Sequence, residues 1–203
     1  MAKLPVVQAP AEVLNKISKP VNFKEKNLRQ LILDMVETLE KHNDPPGVGL
    51  AAPQIGVNLR IFMALLGTNG EENDLKNGHI EIFINPEILN SSDQLVSSKD
   101  RRTAEGCLSL KRYYGQVIRS PKVSVKYQTL DISKLKNSSK STNFEPLQKT
   151  STFTGFEARI MQHEIDHLNG RLFTSRVLEQ QGKLYLISNQ KGEETWEEVS
   201  LEI

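Results

Sequence analysis

Two histidines and a glutamate near the carboxyl-terminal end of the chain have the residue types and spacing of a metal-dependent hydrolase. Gln162-His163-Glu164-Ile165-Asp166-His167 fits the pattern H-E-x-x-H. On a helix, His163 and His167 lie about 40° apart around the axis, so both imidazoles can reach one metal ion. Glu164 lies at the edge of that face, where it can contact a metal-bound water without being a ligand. A solvated helix with two unrelated histidines is the weaker alternative, since the chain has only 4 histidines.

A third ligand separates the metalloenzyme classes that share this pattern. The extended metzincin pattern requires a histidine where this chain has Phe173. A thermolysin-like metallopeptidase requires a downstream glutamate, for which Glu179 and the glutamates between residues 193 and 198 are candidates. Cys107 is the single cysteine. By itself it suggests a buried structural residue, but its thiolate would suit zinc or ferrous iron together with two imidazoles.

A loop of small residues precedes these groups in the sequence. Gly47-Val48-Gly49-Leu50-Ala51-Ala52-Pro53-Gln54-Ile55-Gly56 has a backbone that a ligand or another segment can approach closely. Gln54 is the only side chain in this loop with hydrogen-bonding range. The loop lacks the Gly-Lys-Ser/Thr of a phosphate loop. A tight turn packed under a sheet is an equally good interpretation of the loop alone.

Hydrophobic periodicity predicts the elements that position these residues. We expect an extended arm over residues 1–22, an amphipathic helix over about 24–41, and strands over 59–66, 79–84, 114–118 and 123–130. Asn85-Pro86 should end the second strand. The polar stretch 131–154 is expected to be a mobile surface loop. The tail is either a hairpin or a strand followed by a short acidic helix.

The H-E-x-x-H helix should run from Gly155-Phe156 to Asn169-Gly170, because glycine is a common helix stop. Phe156, Arg159 and Ile160 fall on the histidine side of this helix, one or two turns earlier, so they should border the metal pocket.

Length and composition narrow the class of protein. The chain has 203 residues, 37% hydrophobic and 25% charged, with a formal net charge of +1. This balance does not favour nucleic acid or anionic membrane as a main partner. No apolar run is long enough to cross a membrane, and the amino terminus lacks the pattern of a signal or transit peptide. A cytoplasmic protein is the expectation.

Three segments together resemble the signature motifs of the peptide deformylases, and they occur in that family's order. The segments are Gly47 to Gln54, Glu105-Gly106-Cys107-Leu108-Ser109, and Gln162 to His167. The similarity covers about residues 5–175. The resemblance implies an α+β fold, with antiparallel or mixed sheets surrounding the central H-E-x-x-H helix and with the amphipathic helix near the amino terminus. It also implies a catalytic domain over 1–175 and a carboxyl-terminal extension over 176–203.

The resemblance further implies removal of the N-formyl group from the formylmethionine of nascent polypeptides, with release of formate. Metal-activated water would attack the formyl carbon, with Glu164 as general acid/base and Gln54 and the Leu108 N–H at the oxyanion. Fe²⁺ is the family's usual metal, and Zn²⁺, Ni²⁺ and Co²⁺ also suit these ligands. The metal ligands would be Cys107, His163 and His167; the substrate-binding residues would be Gly49, Val48, Gly106, Phe156, Arg159 and Ile160.

Lys111 departs from the family pattern, in which a proline commonly follows the cysteine motif. Two alternatives stay open: a metallopeptidase with a downstream carboxylate ligand, and a non-catalytic metal-stabilised binding protein. Formyl-Met nascent chains are the expected partner, together with a transient ribosome contact. The sequence does not determine the native metal or the oligomeric state.

Overall fold

The computed structural model describes residues 2–43, 46–68, 74–97, 104–137, 145–190 and 193–199. The helices are α1 (Leu28–Glu40), α2 (Ile132–Asn137), α3 (Gly155–Leu168) and α4 (Phe173–Glu179), with short 3-10 turns at Glu12–Asn15, Ala52–Ile55 and Leu75–Asn77. The strands are β1 (Gly49–Ala51), β2 (Ile61–Leu66), β3 (His79–Ser91), β4 (Val96–Ser97), β5 (Glu105–Cys107), β6 (Leu110–Gly115), β7 (Ile118–Arg119), β8 (Lys122–Thr129), β9 (Leu147–Thr154), β10 (Leu184–Gln190) and β11 (Glu193–Val199).

The strands form three antiparallel sheets. Their orders are β1-β2-β3-β8-β9, β11-β10-β6-β5 and β4-β7. No helix within the described ranges is both long and apolar enough to cross a membrane.

The five-stranded sheet lies between α1 and α3, because its central strands are apolar on both faces. On β2, Phe62 belongs to the apolar cluster that includes Met161 of α3, whereas Met63 belongs to the cluster that includes Met35 of α1. Alternation along a strand sends successive side chains to opposite faces, so one strand supplies both cores. This arrangement confirms the predicted α+β fold around the H-E-x-x-H helix.

The amino-terminal arm connects the parts of the fold that carry the three sequence motifs. The backbone N–H of Val7 donates to the Gln54 carbonyl at 2.7 Å, and that of Ala9 donates to the Ser109 carbonyl at 2.9 Å. The N–H of Ser18 donates to the Leu168 carbonyl, at the end of α3, at 2.8 Å. The arm is extended as predicted, apart from its 3-10 turn.

Three predicted elements had wrong bounds. The single strand predicted over 114–118 is divided, with β6 ending at Gly115 and β7 beginning at Ile118. Helix α1 begins at Leu28 rather than near residue 24. Strand β3 continues through Asn85-Pro86 to Ser91, because register shifts interrupt its pairing with β8 around the proline. Asn85 takes a positive φ of 49°, and its side chain accepts a hydrogen bond from the Val21 N–H and donates one to Gln128. These bonds hold the strand at the point where Pro86, which has no N–H, cannot donate to the neighbouring strand.

The loop predicted over 131–154 was also wrong in its described part. Residues 132–137 form α2, and β9 pairs with β8 from Thr154 to Leu147; residues 138–144 lie outside the described ranges. Of the eight residues of β9 only Phe153 is buried, so the strand lacks the apolar alternation that reveals a strand in sequence. The Gly47–Gln54 segment likewise contains a short strand, β1, followed by a 3-10 turn rather than a loop throughout.

In its described part the tail forms a hairpin, one of the two structures predicted for it, with β10 and β11 paired from Leu184↔Val199 to Gln190↔Glu193. Strand β10 also pairs with β6, opposite Tyr113, Tyr114 and Gly115. The division into a catalytic domain over 1–175 and an extension over 176–203 stays a prediction.

Candidate active site

Strand β5 and helix α3 bring a thiol and two imidazoles together. The ligand atoms of Cys107, His163 and His167 all lie within 4.8 Å of one another, and Cys107 Sγ is 3.2 Å from His167 Nε2. The two imidazoles are one helical turn apart, with ring centroids 4.9 Å from each other. One soft thiolate and two imidazoles form a donor set that suits zinc or ferrous iron, so these residues fit a divalent metal.

The thiol of Cys107 is set up for metal binding by its surroundings. Burial alone would raise its pKa, but the charge of His167 and hydrogen bonds with both histidines outweigh burial and lower the pKa to about 5. This lowered pKa favours the thiolate, which is the form that binds metals.

A buried carboxylate fixes the orientation of the first histidine. Glu105 Oε2 lies 3.1 Å from His163 Nδ1, which leaves Nε2 of that ring for a metal. Burial alone would raise the pKa of Glu105, but hydrogen bonds from Arg119 and His163 hold it well below the usual range. His167 differs, because its Nδ1 has no hydrogen-bond partner among the described residues.

Glu105 belongs to a chain of buried ion pairs behind the histidines. Arg119 donates to Glu105 through Nε and Nη2, both at 2.9 Å, and to Asp166 Oδ2 through Nη1 at 2.6 Å. Arg159 also donates to Glu105, and Arg176 donates to both oxygens of Asp166. These ion pairs connect β5, β7, α3 and α4, so the elements that carry the cluster are held in one arrangement.

Glu164 faces the cluster from the adjacent position on α3. The residue is 4% exposed, and its Oε2 has no hydrogen-bond partner in the described part of the chain. Burial raises the pKa of Glu164 to about 7. A carboxyl group in that range can accept a proton and return it near neutral pH. A Cβ on Gly49 would lie 2.2 Å from Glu164 Oε1, so only glycine leaves room for this carboxylate.

Gln54 points its amide nitrogen at the cluster. Its Oε1 accepts a hydrogen bond from the Ala51 N–H at 2.8 Å, and its Nε2 lies 3.4 Å from Cys107 Sγ. The bond to Ala51 fixes which end of the amide faces the sulfur. Leu108 follows Cys107 directly, at the turn between β5 and β6.

A cleft of about 680 Å³ opens beside these groups. Each residue predicted to bind substrate lines it: Val48, Gly49, Gly106, Phe156, Arg159 and Ile160. Gln54, Cys107, Leu108, His163 and Glu164 line it as well. The roles of all these residues stay predictions, but the fold gathers them at one site.

The downstream carboxylates considered as alternative ligands lie elsewhere. Glu179 pairs with Arg171 at 2.7 Å and its side chain is 45% exposed. Glu198 pairs with Lys183 on the terminal hairpin. Among the described residues, the only group of three possible ligand residues at metal-binding distance is Cys107, His163 and His167.

No role was predicted from the sequence for Glu105, Arg119 or Asp166. The position of Glu105 beside the metal ligands could have been predicted, because residues two apart on a strand face the same side and Glu105 therefore shares a side with Cys107. Arg119 and Asp166 carried no such signal, since their pairing depends on how β7 packs against α3.

Comparison with known proteins finds relatives that match most of the chain. Residues 3–183 match the family "Polypeptide deformylase". Relatives named peptide deformylase include one from Roseiflexus castenholzii, 37% identical over 172 residues, which span 82% of each chain. Another, from Brucella suis, is 37% identical over 177 residues, covering 87% of this chain and 86% of its own.

Solved structures give the same result. An actinonin-bound class I type b peptide deformylase from Acinetobacter baumannii is 34% identical, with a TM-score of 0.65, and covers 87% of this chain and 99% of its own. The same enzyme bound to Met-Ala-Ser gives a TM-score of 0.67 at 33% identity, covering 85% and 97%. The match extends over most of the chain in sequence and in fold, and it includes the strand and helix that bring Cys107, His163 and His167 together. The chain therefore belongs to the polypeptide deformylase family.

Proposed function

We propose that this peptide deformylase removes the N-formyl group from the formylmethionine that begins nascent polypeptides, and that it does so with the residues gathered in the cleft. The observation that carries the proposal is that Glu164 and Gln54 line the same cleft as Cys107 and His163, which form a three-residue cluster with His167. The products are formate and a free amino terminus.

Cys107, His163 and His167 would hold one divalent metal, for which we propose Fe²⁺. When bound, the metal supplies a water of lowered pKa and a Lewis acid for the formyl oxygen. Glu105 holds His163 with Nε2 directed at that site, and its buried ion pairs keep the ring from turning.

Glu164 moves the proton of the reaction. As a carboxylate it takes a proton from the attacking water, and it delivers that proton to the amine nitrogen as the C–N bond breaks. Its burial, which raises its pKa to about 7, suits a group that must both accept and release a proton.

Gln54 and the backbone N–H of Leu108 stabilise the negative charge that develops on the formyl oxygen. The Gln54 amide is held in place before substrate arrives by its bond to Ala51, so no reorganisation is needed during the reaction.

Strand β1 would bind the backbone of the substrate. It is the edge strand of the five-stranded sheet, and Gly49 lies on it next to Glu164. A peptide that adds to this edge would pair its backbone with Gly49. Val48, Phe156 and Ile160 provide an apolar wall for the methionine side chain. A formyl group is small enough for a narrow site that excludes internal peptide bonds.

We infer a cytoplasmic location, because nascent formyl-Met chains are made there, and a transient contact with the ribosome. The Met-Ala-Ser complex of the Acinetobacter baumannii enzyme supports a short methionine-initial peptide as the occupant of the cleft.

The experiment is anaerobic purification, with metal analysis and a formate-release assay on the same sample. Formyl-Met-Ala-Ser should release formate, and casein should stay intact. Casein cleavage without formate release would favour a metallopeptidase, and a metal-loaded protein with neither activity would favour a binding protein.

A further inference from the structure

The strand beyond the cysteine motif bulges into the wall of the cleft. In the β5–β6 pair, Gly106 lies opposite Tyr114, but the next residue, Cys107, lies opposite Leu110. Lys111, Arg112 and Tyr113 are therefore unpaired with β5 and form a bulge. Bulges next to active sites commonly redirect side chains. All three residues of the bulge line the cleft.

The terminal hairpin holds this bulge in place. Tyr113 lies opposite Leu186 of β10, and Arg112 Nε donates to the Ile187 carbonyl at 2.7 Å. Arg112 has a φ of 71°, a conformation that costs free energy for a residue other than glycine and persists only when its surroundings impose it. Strand β10 begins at Leu184, just beyond the family match at residues 3–183, so the support comes from a part of the chain outside that match.

The bulge brings to the cleft positive charge that no described residue pairs with. Lys111 and Arg112 are exposed, and neither forms an ion pair with any residue in the described ranges. The other two cationic residues that line the cleft, Arg119 and Arg159, are both paired with Glu105. The bond of Arg112 goes to a neutral carbonyl, so its charge stays available to a ligand.

We propose that Lys111 and Arg112 make this enzyme favour formyl peptides with an acidic side chain at the second or third residue. Gly49 of β1 and the three residues of the bulge line the same cleft. A peptide paired with β1 would therefore extend its downstream side chains toward the bulge. The inference rests on the proposed deformylase reaction and names the substrates that reaction would prefer.

The test compares C-terminally amidated peptides that differ by one charge at nearly equal shape. These are formyl-Met-Asp-Ala and formyl-Met-Asn-Ala, and formyl-Met-Ala-Asp and formyl-Met-Ala-Asn. The unmodified enzyme should give a higher kcat/KM for the Asp peptide in at least one pair. Partly exposed charge pairs contribute about 0.2–1 kcal/mol, so Lys111→Gln and Arg112→Gln should each reduce the Asp/Asn ratio by about 1.4- to 5-fold. Added salt should reduce the ratio in the unmodified enzyme.

Two controls separate recognition from other effects. Lys126→Gln removes an exposed lysine of β8 outside the cleft and should leave the ratio unchanged. Arg112→Gly also removes the charge, and glycine adopts a positive φ without strain. This variant replaces Arg112→Gln in the test if Arg112→Gln does not fold. Equal kcat/KM for Asp and Asn peptides in both pairs, or ratios unaffected by the bulge variants, would overturn the proposal.

Failure of the proposed function gives a different pattern. If no formyl peptide releases formate, the proposed reaction is wrong. The bulge is then tested by measuring the equilibrium binding of unformylated, C-terminally amidated peptides. The two pairs to compare are Met-Ala-Asp with Met-Ala-Asn, and Met-Asp-Ala with Met-Asn-Ala. Tighter binding of an Asp peptide that is lost in Lys111→Gln supports recognition by the bulge, and equal affinities refute it.

Discussion

At the scale of single residues, the catalytic groups are defined as much by what surrounds them as by their own chemistry. Glu164 is buried with one oxygen that has no partner among the described residues, and Gly49 leaves it room. The two imidazoles beside Cys107 lower the pKa of its thiol. Each of these features can be tested by one substitution.

Replacing Glu164 should separate metal binding from catalysis. Glu164→Ala and the isosteric Glu164→Gln should retain metal, since the carboxylate is not a ligand, and should lose about 10²–10⁴ in kcat. Metal content by elemental analysis and formate release measure the two effects. An active Glu164→Ala enzyme would refute the assignment of the general acid/base.

Replacing Gly49 should displace that carboxylate without unfolding the protein. The Cβ of Gly49→Ala would meet Glu164 Oε1, the far end of a flexible side chain, which can turn away at small cost in stability. We expect kcat to fall by at least tenfold, because a misplaced general base loses much of its effect. Steady-state kinetics and thermal unfolding check this, and unchanged kinetics would contradict it.

Replacing Cys107 should affect the metal first. Serine is a weaker ligand for a soft divalent ion, so Cys107→Ser should reduce metal content and activity together. The control is Ser109→Ala, which removes a buried hydroxyl that lies two residues away and is not among the proposed ligands. Full metal content and full activity in Cys107→Ser would rule out the thiolate ligand.

At the scale of elements, the sequence predicted what depends on local pattern. Helix α3 followed from its histidine spacing and its terminal Asn169-Gly170, and α1 followed from its apolar stripe. Strand β9 was not predicted, because Phe153 is its only buried residue. The continuation of β3 was not predicted, because the side-chain bond of Asn85 to Val21, which holds the strand beside Pro86, leaves no local pattern in the sequence. The pairing of Arg119 with Glu105 and Asp166 was missed because it joins three elements whose packing no local spacing encodes.

The buried ion pairs that join these elements should contribute both to the stability of the fold and to metal binding. Glu105→Gln removes the charged partner of Arg159 and one of the two charged partners of Arg119. Breaking such a buried pair costs about 3–5 kcal/mol. Loss of the bond to His163 should also weaken metal binding by about 10- to 100-fold. Urea unfolding of the metal-free protein and metal titration measure the two effects separately. Glu198→Gln, at an exposed ion pair, should change neither.

At the scale of the whole molecule, the candidate ligands come from segments far apart in the chain, so metal and fold should be coupled. A ligand that binds only the folded state stabilises it by RT ln(1 + [L]/Kd), about 2.7 kcal/mol at 100 times Kd. Chelation should therefore lower the thermal unfolding midpoint. The shift should be much smaller in Cys107→Ser, whose site has lost one donor. An equal shift in both proteins would show that the metal stabilises the fold elsewhere.

The amino-terminal arm implies an order of events during folding. It bonds to Gln54, to the turn after Cys107, and to the end of α3, and its bond from Gln8 to Leu108 closes a separation of 100 residues. Contacts at such separations form slowly, because the entropy of closing a long loop is lost before the contact returns any stability. We therefore expect the arm to dock after the segments it joins have met. We infer that competence to bind metal appears late in refolding, together with protection of the arm's amides from hydrogen exchange.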